Sequence, residues 1–98
     1  MVTPFAPAVA PSGLAAVAGR GSVALTWNAV SGAYWYYVSR STVSGGPYTT
    51  IGYSTSNKYT DTGVTKGVKY YYVVSVYINI SGFGSQSPNS AAVNATPS

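Results

Sequence analysis

Apolar and polar positions alternate with a period of two through most of this chain. That is the spacing a strand imposes, because its successive side chains point to opposite faces. The pattern is cleanest at Ser22–Asn28, where Val23, Leu25 and Trp27 share one parity and Ser22, Ala24, Thr26 and Asn28 the other. Within a predicted strand at Tyr34–Ser41, the parity puts Tyr36 and Val38 on an inner face and Trp35, Tyr37 and Ser39 on an outer one. The longest run, Lys69–Ile78, is β-branched and aromatic almost throughout, a composition that fits a pleated, packed surface. Shorter strands are predicted at Leu14–Ala18, Tyr48–Gly52, Lys58–Thr62 and Ala91–Thr96. Gly19-Arg20-Gly21, Ser31-Gly32, Ser44-Gly45-Gly46-Pro47 and Gly63 punctuate them as turns. No segment shows helical spacing over several turns. Seven short strands predict an all-β fold, an immunoglobulin-like antiparallel sandwich.

The segment Val64-Thr65-Lys66-Gly67-Val68-Lys69-Tyr70 sharpens this reading. A small turn containing Gly67 delivers the chain to a tyrosine at the head of a core strand, the position from which a phenol can tie the preceding turn. The first residues read differently. Residues 1–10 form a Pro/Ala-rich linker or added lead, and residues 11–98 form the single domain. Prolines and the lack of a basic start argue against a signal peptide, and no apolar run is long enough for a membrane span.

Composition narrows the chemistry. The chain has no Cys and no His, and Asp61 is its single acidic side chain. Thiol catalysis, disulfides and thiolate or imidazole metal sites are therefore excluded. Glycoside hydrolysis takes two carboxyl groups, and a calcium site takes several oxygen ligands with carboxylates among them. Asp61 is expected to bond local backbone at a strand end. No catalytic residue, cofactor or metal is expected, and the chain is read as a non-enzyme. The net charge of +4 comes from Arg20, Arg40, Lys58, Lys66 and Lys69, spread along the chain. Phosphate binding needs such cations gathered, so nucleic acid is not expected as a partner.

Residues 11–97 resemble a fibronectin type III domain, of the kind found in secreted bacterial carbohydrate-active enzymes. The likeness is carried by Pro11-Ser12-Gly13-Leu14, by Val23 to Ala33, by Arg40-Ser41-Thr42-Val43-Ser44-Gly45-Gly46-Pro47-Tyr48, by Tyr59 to Val64, by Tyr70-Tyr71-Tyr72-Val73-Val74 and by Val93-Asn94-Ala95-Thr96-Pro97. The resemblance implies a core tryptophan at Trp27 and a tyrosine corner at Tyr70. With Tyr36, Val38, Tyr72 and Val74 these make the expected structural core.

Two segments depart from the family pattern. Ala33-Tyr34-Trp35-Tyr36-Tyr37 crowds four aromatics together, and Tyr77 to Pro88 reads as a long, apolar loop after the longest strand. Tyr34, Trp35, Tyr37, Tyr77, Ile80 and Phe83 are the candidate binding surface, since Tyr-rich surfaces of low charge are adaptable binders. Cross-strand pairing alone would account for such aromatics. The resemblance and the missing catalytic groups together imply a non-catalytic accessory module of a secreted multidomain bacterial protein, extracellular or at the cell surface. It would space or stabilise neighbouring domains of a parent chain, those of a glycoside hydrolase among them. The alternative is a binding module for a polysaccharide or a protein, natural or an engineered scaffold, using the two aromatic-rich segments. A monomer without membrane insertion is expected.

Overall fold

A computed structural model describes residues 9–80 and 82–98; the side chains of Ile80 and Phe83 lie outside that description, as do residues 1–8 of the predicted lead. Eight strands follow one another: β1 Ala15–Gly19, β2 Ser22–Thr26, β3 Ala33–Ser41, β4 Thr49–Ser54, β5 Lys58–Asp61, β6 Tyr70–Ile80, β7 Phe83–Gln86 and β8 Val93–Ala95. They form two antiparallel sheets, β1-β2-β5 and β4-β3-β6-β7, with β8 also paired to β6.

The inner faces follow the alternation. Val23, Leu25 and Trp27 from one side meet Tyr36, Val38, Tyr72, Val74, Val76 and Ile78 from the other, all buried. Trp27 packs its edge against Tyr36 with ring centroids 5.3 Å apart, and its Nε1 is buried without a hydrogen-bond partner among the described residues. Tyr70 is buried at the head of β6, and its hydroxyl accepts the Thr65 amide hydrogen at 2.8 Å, which fixes the turn around Gly67.

Asp61 reaches further than local backbone. Its Oδ1 accepts from the Gly63 amide at 3.0 Å, while its Oδ2 accepts from Arg40 Nη1 and from the Tyr72 hydroxyl, each at 2.8 Å. The chain's one acidic side chain is thus buried between the sheets, joining β5 to β3 and β6. Of the basic residues, Arg40 turns to this contact and lies over the Tyr70 ring at 5.1 Å.

The second departure from expectation concerns residues 77–95. The segment read as a long loop is a hairpin: β6 continues to Ile80 and β7 returns along it, pairing Tyr77 with Gln86 and Asn79 with Gly84. The strand count is eight instead of seven because the last strand is split around Pro88, which has no amide hydrogen for the ladder. Two serines bridge the gap. Ser87 Oγ accepts from the Val76 amide and Ser90 Oγ from the Val74 amide, both at 2.9 Å, while their own amides donate to the Val76 and Val74 carbonyls.

Ser12 and Ser98 are held beyond opposite ends of β2. The Asn28 amide donates to the Ser12 carbonyl at 2.9 Å beyond one end of β2. At the other end Gly21 donates to the Ser98 carbonyl and Ser98 to the Gly19 carbonyl, both at 3.1 Å.

Candidate functional site

Four of the six candidate surface residues come together on the outer face of the larger sheet. Trp35 on β3 is paired with Tyr77 on β6, and their rings stack at 4.6 Å with an interplanar angle of 12°. Tyr37, two residues along, meets the indole edge-on at 6.3 Å. Tyr34 joins them through an irregularity in β3. Ala33 pairs with Ile78 and Trp35 with Tyr77, so Tyr34 is an extra residue on β3. A bulge of this kind re-aims a side chain. Tyr34 consequently shares a face with its neighbour, 6.1 Å from Trp35 and 6.2 Å from Tyr77. Ile80 and Phe83 pair by backbone at the tip of the hairpin, and their side chains are outside the described residues.

One residue of the cluster was not anticipated. Tyr53 on β4 lies directly across from Tyr37 and is 70% exposed. Trp35, Tyr37 and Tyr53 line an open cleft of about 270 Å³. The predicted strand stopped at Gly52, because glycine reads as a breaker. In the fold Gly52 is inside β4, and a side chain there would lie 2.5 Å from the Tyr59 hydroxyl. The strand therefore continues past the glycine. The period-two signal could have found Tyr53 had the strand been extended by one residue.

Gly84 has a matching role on the far side. A side chain at Gly84 would collide with the Tyr77 phenol. The ring leans over bare backbone instead, so the aromatic strip crosses β4, β3 and β6 and reaches β7.

Six of the tyrosines fall into two sets. Tyr36, Tyr70 and Tyr72 face the core, and each hydroxyl is held, by the Val30 amide, the Thr65 amide and the Asp61 carboxylate. Burial, and then its bond to Asp61, pushes the Tyr72 phenol well above its ordinary pKa. Burial alone would lower the Arg40 guanidinium, but the hydrogen bond and charge of Asp61 outweigh it and the net direction is upward. The hydroxyls of Tyr34, Tyr37 and Tyr53 on the outer face take no hydrogen bond among the described residues.

No group of three or more potential metal-ligating side chains occurs among the described residues. Asp61, the chain's one acidic side chain, is engaged by three donors.

Two sheets packed face to face, with a phenol tying the turn that leads into the central strand, define an immunoglobulin-like sandwich. No family model matches the chain. A solved Fn3-like protein from Clostridium thermocellum superimposes with a TM-score of 0.75 and 47% sequence identity, over 91% of this chain and 92% of that one. The chain belongs to this Fn3-like, fibronectin type III family. An amylopullulanase of Thermoanaerobacter thermohydrosulfuricus is 44% identical over 85 residues, which are 86% of this chain and 6% of the relative. A poly(3-hydroxybutyrate) depolymerase of Ralstonia pickettii is 40% identical over 88 residues, 89% of this chain and 16% of the relative. The chain thus corresponds to a segment of much longer proteins.

Proposed function

We propose that this chain is a non-catalytic accessory module of a secreted, multidomain, polymer-degrading bacterial enzyme, acting as a stiff spacer between neighbouring domains. The observation that carries the reading is the anchoring of Ser12 and Ser98 beyond opposite ends of β2. Ser12 is tied to Asn28 at one end and Ser98 to Gly21 at the other. Seven residue steps of about 3.3 Å separate those two anchors, roughly 23 Å. A further bond, Gly67 amide to Pro97 carbonyl at 2.7 Å, holds the exit to a second turn. Domains attached at the two poles are held apart at a defined separation. A Gly/Ser chain of similar length would instead sample a coil with an end-to-end distance scaling as about 5–6 Å times the square root of residue number. The relatives support the context, since the amylopullulanase and depolymerase matches are segments of much longer proteins.

The test places the chain between two fluorescent proteins and measures the distance distribution by energy transfer. A narrow distribution is expected, broadening to that of a Gly/Ser linker when the module is unfolded in urea. A distribution equally broad with the module folded would refute the spacer reading.

A further inference from the structure

The aromatic strip has no part in spacing, and its construction calls for a ligand. Three separate features build it. A bulge places the consecutive residues Tyr34 and Trp35 on one face, a glycine clears the ground for Tyr77, and Tyr53 stands across from Tyr37 at the sheet edge. Core packing needs none of these, because the strip faces away from the other sheet.

Its electrical character selects the occupant. Among the residues of the five strands in this sheet only Arg40 is charged, and it turns inward to Asp61. Arg20, Lys58, Lys66 and Lys69 all lie outside these strands. A charged polymer would find no counter-charge on the strands beneath the strip, and an acidic glycan or nucleic acid no cation there. A neutral occupant loses nothing by docking there. The strip then offers two things at once: ring faces, and phenol hydroxyls that take no hydrogen bond among the described residues. An apolar body with a polar tip suits a partner whose own surface alternates C–H faces with hydroxyls. A neutral sugar ring has that surface. The cleft between Trp35, Tyr37 and Tyr53, about 270 Å³, sits just below the range of ordinary small-molecule sites. It takes one ring of a longer chain, with the remainder lying across the strip.

We infer that the outer face of the larger sheet is a binding platform for a neutral polysaccharide, with Trp35, Tyr37 and Tyr53 forming the central sugar subsite and Tyr34 and Tyr77 extending it. Affinity is modest, because the cleft is open and small.

Native affinity electrophoresis of the chain tests this, with soluble starch, pullulan, mixed-linkage β-glucan and xylan each cast in the gel. The chain should be retarded by at least one of these polymers. Tyr53→Ala, at an exposed position, should weaken that binding about tenfold, equal to about 1.4 kcal/mol, while its circular dichroism and melting temperature stay unchanged. Trp35→Ala should abolish the retardation, and indole fluorescence of the native chain should shift on titration with the retarding polymer. Retardation by none of the four overturns the platform. So does retardation that survives in both variants, which would place binding elsewhere. Binding only to poly(3-hydroxybutyrate) granules, or a dimer in sedimentation that Tyr53→Ala dissociates with no glycan effect, overturns the sugar assignment in favour of a polyester or a second copy. None of these outcomes bears on the anchoring of Ser12 and Ser98 that underlies the spacer reading, so the two stand or fall separately.

Discussion

The Tyr36 hydroxyl accepts the Val30 amide hydrogen at 2.8 Å, across a reach of six residues. It does for the turn before β3 what Tyr70 does for the turn before β6, where the Thr65 amide is held at the same distance. Each phenol spans from a core strand back to the turn that precedes it, so both ends of the larger sheet have their incoming chain clamped. Tyr36 pairs with Val76, six residues beyond Tyr70 on β6, so the two clamps are separated by about 20 Å.

Tyr36→Phe and Tyr70→Phe should each destabilise by about 1 kcal/mol, the net value of one such hydrogen bond. For a domain of this size that lowers the melting temperature by about 4–8 °C. The double variant should be additive within about 0.5 kcal/mol, because the sites share no partner. Urea titrations of the three variants check this, and strong coupling between the two sites would contradict it.

Asp61 should be the most sensitive polar position. Asp61→Ala strands the Arg40 guanidinium and the Tyr72 hydroxyl together. The Arg40 side chain keeps 26% of its exposure, so the loss belongs at the lower end of the range for broken buried pairs, about 3 kcal/mol. Adding Arg40→Met should recover part of that loss by removing the orphaned charge. Equilibrium unfolding of the double variant decides it: a loss equal to the sum of the single variants would show that the pair is not coupled.

Stability should respond to alkali rather than to mild acid. With no His and no Cys, little in the chain titrates between about pH 5 and 9, and stability should be nearly flat there. Tyr72 has a folded pKa raised above its ordinary value of 10.0. Its contribution is complete below that value. It is lost as pH rises further, because the unfolded chain then holds fewer protons than the folded one. Melting temperatures should therefore fall above about pH 10, less steeply in Tyr72→Phe. Thermal scans from pH 6 to 11 test the sign, and an unchanged melting temperature between pH 9 and 11 would contradict it.

The split last strand makes a local prediction. Ser87→Ala and Ser90→Ala each leave a buried amide, Val76 or Val74, without its acceptor. A cost of about 1–3 kcal/mol is expected for each. Hydrogen exchange should report it residue by residue, with the Val76 amide exchanging faster in the first variant and the Val74 amide in the second. Unchanged protection of both would show that backbone or water replaces the hydroxyls.

The difference between what was legible and what was not follows the range of the interactions. Val23, Leu25 and Trp27 announce their common face because strand pleating is a property of neighbouring residues. The same holds for Tyr36 and Val38 against Trp35 and Tyr37. The Ser87-Pro88-Asn89-Ser90 segment gave no such signal, since its hydroxyls matter only opposite Val76 and Val74. The hairpin at the end of β6 resembles a loop in sequence because Gly82, Gly84 and Pro88 look like linker residues until β7 is paired.

By itself, then, the sequence determined an all-β sandwich, its inward faces, its corner tyrosine and the lack of any Cys or His, all of which rest on residue type and short-range periodicity. Tertiary structure alone decided that Asp61 bridges the sheets to Arg40 and Tyr72, positions 21 and 11 residues away. It also decided that Tyr53 completes the aromatic strip. Both depend on register between strands distant in the chain, and one residue of slip would turn every one of those side chains to the other face.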